Sequence, residues 1–128
     1  MPVSDPDLTV EPVLSDDLRA WLVAELRYTV LAINTGDGPP SQSVMWFDLD
    51  PHDRDVILMN TKVARLKYRQ LQKDPRVSLL FEDDLEWYAM RGSVELDPTF
   101  QPALDAIKAL ARRYGSDPDK FDGQQRVI

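Results

Sequence analysis

The order in which strand-like and helix-like runs follow one another limits the fold of this chain more than any other feature. A capped helix comes first, three strand-like runs follow with no helix between them, then one short helix, two more strand-like runs and a long final helix. A doubly wound parallel sheet needs a crossover helix after nearly every strand, because only a long connection returns the chain to the starting end of a parallel neighbour. That alternation is missing. The order predicts an antiparallel barrel, mainly β, with helices packed outside it.

Each run carries its own signal. Ser15 followed by Asp16 and Asp17 is a helix cap with acids in the first turn, and Leu18, Trp21, Leu22 and Leu26 give an apolar stripe, so the first helix is expected over Ser15 to Glu25. Tyr28 to Asn34 is rich in β-branched residues and is closed by Gly36-Asp37-Gly38-Pro39-Pro40. Ser41 to Asp48 and Asp55 to Asn60 form the predicted second and third strands, a hairpin across the turn-forming cluster Asp50-Pro51-His52-Asp53-Arg54. The short helix covers Ala64 to Lys73 and stops at Asp74-Pro75, since the residue before proline avoids helical geometry.

Arg76 to Phe81 and Trp87 to Leu96 are the last two strands, joined by the acidic turn Glu82-Asp83-Asp84, with Gly92 suggesting a bulge. After Asp97-Pro98, the residues Phe100, Ala103, Leu104, Ile107, Leu110 and Tyr114 keep helical spacing up to Gly115.

A chain of 128 residues, 43% apolar, is long enough for one modest core, so a single domain over 1–128 is expected, with 1–14 as an extended proline-containing arm. With no cysteine and one histidine, thiolate chemistry, zinc clusters and a Ser-His hydrolase are not expected, nor any resident metal. His52 lies among turn formers and reads as an exposed hairpin tip. No apolar run reaches the roughly 18 residues that a membrane helix needs, and the acidic start lacks the features of a secretion signal, which gives a cytoplasmic expectation.

The net charge of -7 argues against nucleic acid, because binding to it is driven by neutralising phosphates. One stretch departs from that balance. Between Lys62 and Arg76 stand six basic residues, Lys62, Arg65, Lys67, Arg69, Lys73 and Arg76, against the one acid Asp74. A strand that feeds a helix through Asn60-Thr61-Lys62 offers backbone donors and cations of the kind a phosphate requires. The competing reading is a solvated basic face, or a stripe that docks an acidic protein partner.

The run Asn60-Thr61, Arg65-x-Lys67, Leu71 and Asp74-Pro75-Arg76-Val77 resembles the pyridoxamine phosphate oxidase-like split β-barrel superfamily. So do the preceding hairpin and Arg91-Gly92-Ser93-Val94-Glu95, and the likeness spans roughly residues 15 to 115. Within it the chain looks most like the actinobacterial branch that uses the deazaflavin coenzyme F-420. The resemblance implies an antiparallel split β-barrel that pairs as a homodimer, with the cofactor at the subunit interface and a small-molecule substrate over its ring.

Carried over by position, Arg65 and Lys67 would bind the cofactor phosphate, with Arg69 as a helper, and Asn60 and Thr61 would contact the ring or its side chain. Ser43 and Trp46 on the second strand would also bind the cofactor, and Trp87, Tyr88 and Arg126 would reach across the dimer. Gln70 stands where many members have Asn, and Val44 and Trp46 make the ring environment more apolar than in some relatives. The family also usually continues through a further closing strand beyond Ile128. The implied activity is hydride transfer from the reduced deazaflavin to an unsaturated acceptor of the conjugated, quinone-like or tetrapyrrole type, with no catalytic side chain singled out. The alternatives are an FMN-binding oxidase of the same fold and a non-catalytic protein that holds a flavin or deazaflavin.

Overall fold

The computed structural model describes residues 14–128; the predicted arm therefore lies, apart from buried Leu14, outside the described residues. The first helix, α1 (Asp16–Ala24), starts where the cap predicts, and the Ser15 hydroxyl accepts a hydrogen bond of 3.2 Å from the Leu18 amide. Thr29–Ile33 forms β1, in which Thr29, Leu31 and Ile33 are buried and alternate with half-exposed Val30 and Ala32. The chain then turns through Gly36, whose φ of 92° suits a residue without Cβ, into β2 (Ser41–Met45).

The predicted second strand divides. Its first half, β2, pairs with β1, while β3 (Asp48–Leu49) pairs with β4 (Ile57–Leu58) across the turn containing His52. The change of pairing partner falls at Trp46 and Phe47. Phe47 is fully buried in the main core beside Phe81, with ring centroids 4.9 Å apart, whereas Trp46 packs into a second cluster under the final helix. Successive strand side chains point to opposite faces, so the two aromatics enter different clusters, and neither residue belongs to the β1-β2 or the β3-β4 ladder. At the hairpin tip His52 is exposed, as its turn context predicts, and the Asp50 carboxylate accepts from the amides of His52 (2.7 Å) and Asp53 (3.1 Å). Those amides hold the Asp50 carboxyl below its ordinary range.

Thr61–Lys62 forms β5, followed by α2 (Leu66–Lys73), two residues shorter at its start than predicted because Arg65 is extended, with φ -72° and ψ 144°. Next come β6 (Arg76–Asp83) and β7 (Glu86–Ser93), a regular hairpin. The expected bulge at Gly92 is not there: every residue from Arg76 to Asp83 has one partner, and Gly92 lies opposite Val77. Glycine at this edge position lightens the strand without inserting a residue.

The amphipathic helix α3 (Phe100–Arg113) leads through a 3-10 turn (Pro118–Phe121) into the short β8 (Arg126–Val127). Ile128 also exchanges backbone hydrogen bonds with Asp97, at 3.0 and 3.1 Å. The main sheet has the order β2-β1-β6-β7, all antiparallel, with two small ladders, β3-β4 and β5-β8. This is an antiparallel β architecture with three helices, consistent with a split barrel. No helix among the described residues is long and apolar enough to cross a membrane.

Leu22, Leu31, Ile33, Phe47, Leu71, Leu79 and Phe81 make the main core between the sheet, α1 and α2. Each buried aromatic contributes roughly 2–3 kcal/mol by removal of its surface from water. Leu104, Ile107 and Leu110 of α3 form the second core with Trp46, Tyr114 and Phe121. Among the described residues nothing covers the opposite face of the main sheet: Val44, Leu80 and Trp87 are exposed by 67%, 39% and 66%.

Candidate functional site

Where β5 meets β8, a cleft of about 430 Å³ opens between two walls. One wall is Val44, Met45 and Trp46 with Asn60, Lys62 and Arg65; the other is Ile107 and Leu110 of α3 with Lys120, Phe121, Gln124 and Arg126. The volume falls in the range of small-molecule sites.

The floor is a buried polar chain. Asn60, 8% exposed, donates from Nδ2 to the Ala103 carbonyl at 2.9 Å and accepts at Oδ1 from Arg126 Nε at 2.9 Å. Arg126, 7% exposed, also donates from Nη1 to Gln124 Oε1 at 2.9 Å, and its guanidinium lies 5.4 Å from the Phe121 ring centroid. Neutral amides thus satisfy a buried cation without neutralising it. Burial, followed by the nearby positive charge of Arg65, pushes the Arg126 pKa down from its usual value.

The ladder sharpens that picture. Lys62 is the cross-strand partner of Arg126, so the two cations stand opposite each other, an arrangement that destabilises a bare sheet. Lys62, Arg65, Lys120 and Arg126 all line the cleft, no carboxylate lines it, and none of the four forms an ion pair among the described residues. In a chain with 22 acids against 15 Lys and Arg, such a segregated cluster is the electrostatic complement of an anion.

Above the cations the walls are apolar and aromatic. Trp46 is stacked on Tyr114, with centroids 5.1 Å apart and planes 8° from parallel, and meets Phe121 edge-on at 6.4 Å. The Tyr114 hydroxyl accepts from the Phe47 amide at 3.1 Å and donates to the Arg27 carbonyl. Burial raises its pKa above the usual value for a phenol. Tyr114 therefore braces Trp46 and is not a ready proton donor.

Of the residues the sequence singles out, Asn60, Arg65, Trp46 and Arg126 come together in this cleft. Arg126, expected to reach toward a partner, instead lines the cleft of its own chain, because β8 folds back on β5. Lys67 does not line it: its Nζ rests 3.2 Å from Met45 Sδ, and burial, then Arg65, lowers its pKa. Arg69 is exposed on α2 and outside the lining. Thr61 pairs with Val127, and Ser43 pairs with Leu31, without lining the cleft. Trp87 sits opposite Glu82 on β7, and within one chain it is on the uncovered sheet face; Tyr88 packs edge-on against Trp21 at 4.8 Å.

Lys120, Phe121, Gln124, Ile107 and Leu110 were not marked by the sequence. The helical period places Ile107 and Leu110 on the apolar side of α3, but nothing local shows that the segment after α3 returns to β5. A second concavity of about 360 Å³, lined by Leu26, Tyr28, Val30, Val44 and Leu80 with acids at Glu25 and Glu82 to Asp84, adjoins the cleft through Val44.

Residues 14–127 match the family model described as pyridoxamine 5'-phosphate oxidase. Among solved structures, the conserved hypothetical protein Rv2991 from Mycobacterium tuberculosis is similar at 26% identity and a TM-score of 0.70, covering 93% of this chain and 80% of that one. A protein described as an F-420 reductase is similar at 28% identity and a TM-score of 0.67, covering 84% and 86%. HutZ, the heme storage protein from Vibrio cholerae, shares the fold with a TM-score of 0.63 at 16% identity.

Proposed function

The chain belongs to the pyridoxamine 5'-phosphate oxidase family, and from that membership we propose that it is a reductase that uses coenzyme F-420 to reduce an unsaturated small molecule. The observation that carries the reading is the cleft in which Lys62 and Arg126 face each other across a ladder, with Arg65 beside them and, among the described residues, no carboxylate in the lining. A phosphate relieves that repulsion and takes charge-assisted hydrogen bonds from all three. The similarity to the F-420 reductase structure at 28% identity supports the deazaflavin over FMN.

The residues fit such a group. Arg65, Lys62 and Arg126 would hold the phosphate, and Val44, Trp46, Ile107, Leu110 and Phe121 would cover a planar ring and keep water from it. When bound, the reduced deazaflavin supplies the hydride, which is chemistry no side chain here provides. The protein orients the acceptor and excludes solvent. Among the described residues the groups in the lining that can donate a proton are cationic, the Lys62 and Lys120 ammoniums foremost, and solvent is the other source.

A homodimer completes this reading. The uncovered sheet face with Val44, Leu80 and Trp87 is apolar, and Val44 belongs both to that face and to the cleft. A second copy on this face would cover the exposed apolar surface and close the cleft's open side.

The test is fluorescence titration of the purified protein with F-420 and, separately, with FMN. Saturable binding of F-420 at lower concentration than FMN supports the reading. Preference for FMN moves the chain to the oxidase side of the family, and binding of neither removes the cofactor assignment.

A further inference from the structure

Trp46 and Phe47 lie between the β1-β2 and β3-β4 ladders, so neither residue is held by a neighbouring strand. The end of α3 holds this connection instead. The Phe47 amide donates to the Tyr114 hydroxyl at 3.1 Å, and the Phe47 carbonyl accepts from Arg113 Nε at 3.2 Å. Two consecutive residues of a helix distant in sequence thus satisfy both backbone polar groups of Phe47. The Tyr114 hydroxyl also donates to the Arg27 carbonyl, which ties the connection to the chain ahead of β1.

Tyr114 is itself fixed. It is the C-cap of α3, and its amide donates to the Leu110 carbonyl at 3.0 Å. The chain leaves the helix through Gly115, with φ 71°, and the Ser116 amide closes on the Ala111 carbonyl at 2.8 Å. On this anchored ring the Trp46 indole lies nearly parallel, and Tyr28 packs against the same ring at 5.5 Å, tilted by 41°. Trp46 lines the cleft and Tyr114 does not. An indole on a connecting segment has several orientations open to it. Stacked on a capped helix end it has fewer, so a ligand ring that packs on it gives up less freedom on binding.

We propose that Tyr114 is the positioning residue of the cleft's aromatic wall, holding the Trp46 indole in the plane in which it meets a ligand ring. Selection of a ring-bearing phosphate over a bare anion then depends on a side chain outside the lining. The ring of Tyr114 sets the indole, and its hydroxyl secures the connection that carries the indole. This rests on the reading that a planar, phosphate-bearing ligand occupies the cleft, and it is independent of whether that ligand is a deazaflavin or a flavin.

The experiment is titration with orthophosphate, FMN and F-420 of the full chain, of Tyr114→Leu, Tyr114→Phe and Trp46→Leu, and of the Trp46→Leu, Tyr114→Leu double variant. Tyr114→Leu should weaken the planar ligand that the parent prefers by about fivefold, the scale of one aromatic pair. Its orthophosphate affinity should stay within about twofold. Tyr114→Phe keeps the ring and should restore planar affinity, although its urea midpoint falls because the Phe47 amide and the Arg27 carbonyl lose their partner. In the Trp46→Leu background the loss from Tyr114→Leu should vanish, since Tyr114 acts through the indole. Without ligand, the Trp46 contribution to near-ultraviolet circular dichroism, read as parent minus Trp46→Leu, should collapse in Tyr114→Leu and persist in Tyr114→Phe. Where Tyr114→Leu fails to fold, Tyr114→Met fills the space without a planar face and takes its place.

Equal losses for orthophosphate and the planar ligand, no loss for either, a planar loss in Tyr114→Phe as large as in Tyr114→Leu, or an undiminished loss in the Trp46→Leu background would overturn the proposal. So would a parent that binds neither planar ligand more tightly than orthophosphate. The two ideas fail separately. A parent that prefers FMN while Tyr114→Leu loses it removes the deazaflavin assignment and leaves the positioning role, whereas a parent that prefers F-420 with undiminished affinity in Tyr114→Leu does the reverse.

Discussion

Lys62 and Arg126 are direct cross-strand partners in the β5-β8 ladder, one cation opposite another. Like charges in that position cost stability, on the order of 0.2–1 kcal/mol, and the chain keeps them beside a third cation, Arg65. Lys62→Thr removes one of the opposed charges and places a β-branched residue in a strand. The variant should be more stable than the parent by a few tenths of a kcal/mol in urea denaturation, while its affinity for orthophosphate falls. If stability and anion affinity fall together, the opposition is structural and not a binding feature.

Asn60 joins three parts of the fold through two hydrogen bonds, to the Ala103 carbonyl of α3 and from Arg126 of β8. Asn60→Ala leaves the buried Arg126 Nε–H without its partner, while the Ala103 carbonyl stays within the ladder of α3, at a cost of about 1–3 kcal/mol. Chemical denaturation should show that loss with an unchanged slope. A cost below about 0.5 kcal/mol, within the range of ordinary surface changes, would mean that water replaces the amide and that the floor is wetter than its burial indicates.

Arg65 and Lys67 are two positions apart, yet only Arg65 lines the cleft, because it is extended at the helix cap while Lys67 lies in the first turn with its ammonium at Met45. Arg65→Ala should weaken phosphate and cofactor binding at least tenfold, the scale of one charge-assisted contact of roughly 1.5–3 kcal/mol. Lys67→Ala should weaken them less. Affinities that fall equally in the two variants would place Lys67 on the ligand as well.

The contrast between these two residues shows what the sequence could and could not convey. Helix α3, the cap of α1 and the β6-β7 hairpin follow from local spacing and turn chemistry and are legible in the sequence, although Glu82 and Asp83 of the expected turn are paired in the strands. The division of β2 from β3 is not, since Val44 to Phe47 is one unbroken apolar run and nothing local marks where pairing with β1 ends and pairing with β4 begins. The same holds for the site. Asn60 and Arg65 sit at a recognisable strand-to-helix junction, but Lys120, Phe121 and Arg126 join them only through the long-range β5-β8 pairing. A two-residue strand at 126–127 leaves almost no pattern to read.

Asp74 ends α2 and is held by charge. Arg76 donates to it from Nε at 2.9 Å and Nη2 at 2.8 Å, its amide adds a bond of 3.1 Å, and Asn34 donates at 3.1 Å. The Arg76 side chain, then its amide, keep the Asp74 carboxyl far below the ordinary aspartate value. A carboxyl depressed in the folded state stabilises above its unfolded pKa, near 3.9. That contribution is lost as pH falls from there through the folded value. Asp74→Asn should therefore be less stable than the parent at pH 7, with the difference shrinking below about pH 4. Thermal melts from pH 7 to 2 check it, and a gap that stays constant with pH would assign the loss to helix capping alone.

The uncovered sheet face gives the last prediction. Cross-strand pairs place Val30, Val44, Leu80 and Ala89 side by side, since Val30 is opposite both Val44 and Leu80, and Leu80 is opposite Ala89. Val44 and Leu80 are exposed by 67% and 39% in the single chain, so replacing them with charged residues costs little there. Val44→Glu combined with Leu80→Lys should keep the helix and sheet content of the folded chain and its melting transition in dilute solution. If a second copy seats on this face, the parent sediments as a dimer, and desolvating two new charges drives the variant to monomer. Cofactor affinity should then fall as well, because Val44 borders the cleft that the second copy closes. A parent that sediments as a monomer, or a variant that stays dimeric, would place the subunit contact elsewhere or remove it. A monomeric variant with full cofactor affinity would show that one chain holds the ligand unaided.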